Sequence, residues 1–142
     1  MKTLFTPIIR FNRNYFFLSI LFLLIEIFIG ARVHDTFIRP YAGDFLVVIL
    51  IYCMVRTFFN FGKAEVALGT LLFSYFVELT QYWHLSDHLR LPAHSIARIL
   101  LGDSFSRIDL ACYTFGILVV MVVEKIATDK SLLKNRYSSR IA

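Results

Sequence analysis

The sequence predicts an all-α membrane protein: a bundle of four transmembrane helices with a short interfacial or re-entrant helix between the third and the fourth. Three observations predict it. Of 142 residues, 58 % are hydrophobic and the mean hydropathy is +0.67, which leaves a chain of this size more apolar surface than it can bury in water. Those residues gather into four runs, each near the ~20 residues that a helix needs to cross ~30 Å of hydrocarbon. The net charge of +5 is concentrated at the chain ends, as loop charge in a membrane protein is.

The first run extends from about Tyr15 to Val33, the second from Phe45 to Phe59, the third from Val66 to Trp83 and the fourth from Ile108 to Val123. A backbone in lipid must satisfy its own hydrogen bonds, so all four are expected as helices despite their β-branched residues. The second and fourth are short and predict local thinning or partial burial. The first has the basic start and apolar middle of a secretory signal, but it carries Glu26 and Arg32 with no clean small-x-small cleavage pattern after it. It is therefore expected to be retained. The whole chain, 1–142, reads as one transmembrane domain with a basic tail over 125–142.

The connections differ. Helices two and three are joined by a short turn around Asn60, Phe61, Gly62 and Lys63, and helices one and two by His34 to Gly43, with Pro40 expected as a break. Between helices three and four lies a longer segment, His84 to Arg107, in which Pro92 can open a short helix and Gly102 close it. With both termini in the cytoplasm, Lys2, Arg10, Arg13, Arg56, Lys63, Lys125, Lys130, Lys134, Arg136 and Arg140 lie inside, against Arg32, Arg39, Arg90, Arg98 and Arg107 outside. The positive-inside rule favours this orientation. Nucleic-acid binding fits poorly, because no soluble domain presents the basic residues as a face. Cys53 and Cys112 sit inside apolar runs and read as small hydrophobes.

A charge at the bilayer centre costs roughly 2.5–3.5 kcal/mol on insertion scales, so intramembrane acids must face protein or water. The topology gathers Glu78, Gln81, Asp44, Asp109, Arg39 and Arg98 near one membrane face, the outer one in this orientation. Glu78 and Gln81 share a helix face through their i, i+3 spacing. Each has a purely structural alternative. Asp44 and Asp109 fall where helix N-termini are expected and can serve as caps, with Ser106 and Asp109 resembling a capping box. Glu78 lies too deep to cap, and either pairs with Arg98, hydrogen-bonds a neighbouring helix, or serves as a proton acceptor or a ligand for a cationic or hydroxylated head group. Glu26 pairs with Arg56, is protonated, or lines the same cavity. His84 and His88 have an i, i+4 metal-gripping spacing, but no HExxH motif accompanies them, and interfacial histidines at a helix end are commoner. No metal and no cofactor is expected. Tyr82 and Trp83 read as an aromatic anchor. A weak duplication, Glu26 to Asp35 and Glu78 to Asp87 at equal spacing, suggests two related hairpins, although chance likeness between apolar segments explains it as well. No nucleophile elbow or phosphate-cradling loop is present, which argues against an enzyme.

The residues Glu78 and Gln81, Ala97-Arg98, Ile108-Asp109-Leu110, Tyr113 and Gly116 resemble the pattern of VanZ-like membrane proteins, with Tyr113 where those proteins usually carry Asn. Over nearly the whole chain, the run His34-Asp35, Phe37-Ile38-Arg39-Pro40-Tyr41, Gly43-Asp44 and Val47 to Tyr52, with Glu78, Gln81, Ala97-Arg98 and Leu101-Gly102, is similar to a family of small bacterial membrane proteins known only as a domain of unknown function. The resemblance implies the bacterial cytoplasmic (inner) membrane and an envelope-related role rather than a reaction. Two functions compete, ahead of a membrane enzyme using Glu78 or Asp109 as general base beside Arg98, which has no visible nucleophile or metal set behind it. One is a binding or accessory protein whose polar cluster contacts an envelope lipid or glycan, with membrane lipids as its surroundings. The other is a small proton- or ion-coupled transporter using Glu26 and Glu78, which with so few helices must act as an oligomer.

Overall fold

The computed structural model describes residues 8–33, 35, 38–83, 88–90, 92 and 106–141. Among these there are four helices and no strand: α1 (Arg13–Arg32), α2 (Ile38–Phe58), α3 (Lys63–Tyr82) and α4 (Arg107–Ile141). Three stretches, Arg13–Arg32, Arg39–Phe58 and Arg107–Lys134, are long and apolar enough to cross a membrane. α3 is as long as α1 but carries Lys63, Glu65 and Glu78. The expected interfacial or re-entrant helix, and with it His84, Asp87 and Arg98, lies outside the described residues.

Two boundaries differ from the sequence expectation. Pro40 does not break the chain before the second helix; it is the third residue of α2. A proline there costs nothing, because first-turn N–H groups have no intrahelical acceptor. Asp44 consequently lies in the second turn of α2 and does not cap it. The fourth helix does not stop near Val123 but continues to Ile141. At 1.5 Å per residue it is about 52 Å long, well beyond the ~30 Å hydrocarbon layer. The loss of apolar character after Val123 changes the solvent the helix meets, not its backbone, since Lys, Ala, Leu and Arg are good helix formers.

α2 is the hub. It packs on α1, α3 and α4, and α3 also packs on α4, whereas the backbone of α1 packs mainly on α2 and reaches α4 through the Tyr15 side chain. The core follows from this arrangement: Val48, Ile49, Tyr52 and Cys53 of α2 meet Val66 and Ala67 of α3 and Tyr113, Ile117 and Val120 of α4. Gly116 brings α4 close. A Cβ there would meet the Val48 side chain and lie 2.9 Å from the Phe45 carbonyl oxygen, so this crossing depends on the missing side chain, as small residues permit in membrane helix pairs. By contrast α1 is exposed nearly all round, with Phe17, Leu21, Leu24, Ile27 and Phe28 open, a surface suited to lipid.

Helix ends and intrahelical hydroxyls are satisfied locally, as an apolar solvent demands. The Asn12 side chain accepts the Asn14 N–H at 3.1 Å. The last-turn carbonyls of α2, which have no intrahelical donor, are taken by the segment before α1: Arg10 N–H donates to Phe58 at 3.0 Å and Asn12 N–H to Thr57 at 2.8 Å. The hydroxyls of Thr57, Ser74, Thr80 and Thr114 donate back to carbonyls one turn earlier, which hides them from lipid.

Candidate functional site

The antiparallel order places the C-terminal ends of α1 and α3 beside the N-terminal ends of α2 and α4. Acids gather there. Glu78 is fully buried. Its Oε1 accepts the Ser106 backbone N–H at 2.7 Å, and its Oε2 lies 3.5 Å from the Tyr113 hydroxyl. The same hydroxyl donates to Asp44 Oδ1 at 3.2 Å, so one phenol joins α2, α3 and α4. The Asp109 carboxyl lies within hydrogen-bonding reach of Asp44. On α1, Glu26 approaches Gly43: a Cβ on that glycine would sit 3.7 Å from Glu26 Oε2.

The Ser106–Asp109 capping box is only half formed. The Ser106 hydroxyl does accept from Ile108 N–H at 3.2 Å, but the Ser106 N–H, which a box would give to Asp109, goes to Glu78 instead. This exchange frees Asp109 to reach Asp44. For Glu78 the hydrogen bond to a neighbouring helix is the alternative observed. The Glu26–Arg56 pair is not formed: Arg56 lies at the opposite end of the bundle, 5.0 Å over the Tyr15 ring and bonded to the Phe61 carbonyl.

Next to this acid cluster is a recess of about 770 Å³ between α1, α2, α3 and α4, walled by Glu26, Gly43, Asp44, Val47, Ile51, Phe73, Ser74, Phe76, Val77, Thr80, Gln81 and Tyr113. Its volume is in the usual range for small-molecule sites. No described wall residue is basic. Glu26 Oε1 is buried without a hydrogen-bond partner among the described residues, an arrangement that costs free energy unless a donor arrives. Of the residues expected at this site, Asp44 and Gln81 line the recess, while Glu78 and Asp109 stand behind it through Tyr113 and Asp44. Arg39 does not join them; it is exposed in the first turn of α2, where its side chain is not part of the described wall. Arg98 is outside the described residues. Among the described residues no group of three His, Cys, Asp or Glu is placed to hold a metal, and His88 is exposed.

A second polar cluster escaped the sequence reading. At the opposite end, Glu124 of α4 pairs with Lys63 of α3 at 2.6 Å. It also accepts hydrogen bonds from Tyr15 of α1 and, at 3.1 Å, from Tyr52 of α2. Lys63 Nζ in turn donates to Thr128 at 2.8 Å. Four helices thus meet on one carboxylate. The available signal was positional: antiparallel order brings the start of α1 (Tyr15), the later half of α2 (Tyr52) and the start of α3 (Lys63) to the level of Glu124 midway along α4. An apolar layer of Val48, Ile49, Ile117 and Val120 separates the two clusters.

A family model described as a protein of unknown function, DUF2809, matches residues 33–117. The match takes in Asp44, Glu78, Asp109 and Tyr113, and it excludes Tyr15, Glu26 and Glu124. No curated protein and no solved structure matches the chain.

Proposed function

The chain belongs to the DUF2809 family, and we propose that it is an envelope-associated binding protein whose carboxyl-lined recess holds the cationic or hydroxylated head group of an amphiphile. One observation carries the reading: the recess gathers Glu26, Asp44, Gln81 and Thr80 around apolar walls with no described base among them, and leaves a buried Glu26 oxygen without a partner among the described residues. A carboxylate in a low-dielectric site binds an ammonium or hydroxyl donor far more strongly than it would in water. The Tyr113 and Phe76 rings add faces on which a quaternary ammonium can rest. An anionic head group would meet two carboxyls, Glu26 and Asp44, and no described base.

The distribution of basic residues supports a recess opening on the extracytoplasmic side of a bacterial cytoplasmic membrane, with both termini in the cytoplasm. The VanZ-type pattern of Glu78, Gln81 and Asp109 agrees with an envelope role. The test uses small head-group probes on the purified protein in neutral detergent: choline, ethanolamine and glucosamine against glycerol phosphate. The amines and the aminosugar should raise the unfolding temperature, glycerol phosphate should not, and Glu26→Gln with Asp44→Asn should remove the response. A response to glycerol phosphate equal to that of choline, or one that survives both substitutions, refutes the reading.

A further inference from the structure

The recess does not end at the acid cluster. Ile51 and Phe73 belong to its wall and also to the wall of a second, mostly apolar cavity, of about 520 Å³, which runs down the α2–α3 seam and is lined further by Val55, Phe61, Val66, Gly69 and Thr70, with Glu65 at its Phe61 end. Together they form one apolar groove from Gln81 to Phe61, over most of the length of α3. Two features set this seam apart from an ordinary helix contact. Gly69 leaves it open: a Cβ at that position would meet no atom within 4 Å. Thr70 lines it with a hydroxyl that is buried and bonded to nothing among the described residues, in a residue only 4 % exposed. Nearby Ser74, one turn on, makes the usual bond to the carbonyl behind it; Thr70 does not, so its hydroxyl remains available to an oxygen inside the groove. Gly69 and Phe73 are exposed on the outer side of α3, so the seam opens sideways, where lipid would lie.

We propose that the α2–α3 seam is the chain-binding half of the same site, so that the ligand is a long-chain amphiphile with its cationic head in the acid recess and its hydrocarbon tail along Ile51, Phe73 and Gly69. Thr70 lies eight residues before Glu78, about 12 Å lower along the helix. An ester, amide or hydroxyl oxygen on the ligand at that depth would meet the Thr70 hydroxyl. The inference rests on the head-group reading, and it commits to a lipid-like occupant because the groove is continuous with the polar recess and carries its own unpaired polar atom.

The test uses the full chain in phosphatidylcholine vesicles with two photoactivatable probes, each bearing a diazirine at the end of a sixteen-carbon chain, one headed by trimethylammonium and one by carboxylate. The ammonium probe should label peptides containing residues 51–73 at least tenfold more than the lipid-exposed face of α1. Gly69→Leu, whose Cβ would meet no atom within 4 Å and whose longer side chain would occupy the seam, should reduce that labelling to the α1 level while leaving the choline response of the recess intact. Labelling spread evenly over α1 and α3, labelling unchanged by Gly69→Leu, or a seam occupied by a second copy of the chain and closed to the probe would overturn the inference. Seam labelling that is equal for both probes would preserve the chain site and refute the cationic head-group reading, which separates the two failures.

Discussion

Gly116 tests the packing on which the recess depends. Replacing it with alanine puts a methyl group 2.9 Å from the Phe45 carbonyl oxygen and into the Val48 side chain, where ordinary contact begins at 3.4 Å. The Val48 side chain can turn aside, but the Phe45 oxygen is backbone and cannot rotate away, so α2 and α4 must separate by about half an ångström, and overpacking of this kind typically costs about 1–3 kcal/mol. Alanine also improves on glycine in a helix by roughly 0.5–1 kcal/mol, which would mask part of the cost in a single measurement. Gly69→Ala supplies the control, because it gains the same backbone benefit with no atom within 4 Å. The difference between the two variants therefore isolates the crossing, and Gly116→Ala should be the less stable by about 1–3 kcal/mol. Equilibrium unfolding by a denaturing detergent, followed by circular dichroism, measures the difference. Equal stabilities would refute the close approach of α2 and α4. Because Tyr113 is one turn before Gly116 and bonds Asp44 across the same crossing, Gly116→Ala should also weaken the choline response, whereas Gly69→Ala should not.

Tyr113→Phe removes the donor that Asp44 and Glu78 share, and in a residue 7 % exposed this should cost about 1–3 kcal/mol of unfolding free energy. Glu78→Gln should cost less, since an amide can accept from Ser106 and donate to Tyr113; the same unfolding assay ranks the two, and the reverse order would count against the bonding described. At the other end, Lys63→Met and Glu124→Gln should each destabilise by about 1–3 kcal/mol, below the 3–5 of a fully buried pair because Lys63 is partly exposed. The double variant should lose less than the two singles together, and strict additivity would show that the 2.6 Å pair contributes no coupling.

The helices were legible from their apolar runs: three of the four are long and apolar enough to cross a membrane, where a backbone has few other solutions. Their ends were not, for opposite reasons. At Pro40 a residue that normally stops a helix sits where it is harmless, and beyond Val123 a change of polarity resembles a stop but leaves the backbone free to continue. This mattered for function, because starting α2 at Ile38 takes Asp44 out of the cap position and turns it into an internal acid facing Asp109. The convergence of Asp44, Glu78 and Asp109 was legible from antiparallel connectivity alone. The part played by Tyr113 was not, since a tyrosine in an apolar run looks like core until its hydroxyl is seen to bridge two carboxyls. Glu124 was missed because it stands at the border between an apolar run and a basic tail, where an acid reads as a solvated residue.

The two polar clusters have opposite hydrogen-bond balances, and this indicates which end is built for binding. Glu124 receives a cation and two phenols, so its charge is compensated and its helices are tied together. A ligand could join that network only by displacing a bond already made. At the far end the acids outnumber their donors among the described residues: one tyrosine serves two carboxyls, one backbone N–H serves a third oxygen, and Glu26 keeps a buried oxygen with no described partner. Buried polar groups are expected to be satisfied; among the described residues three are not, Glu26 Oε1 in the recess, Thr70 Oγ1 along α3 and Arg56 Nε at the Glu124 end, and of these the two oxygens are the ones able to accept from an incoming donor. The closed cluster therefore ties the helices of its end together, and in the proposed function the deficit of donors among the described residues at the acid end is what an incoming cation would relieve.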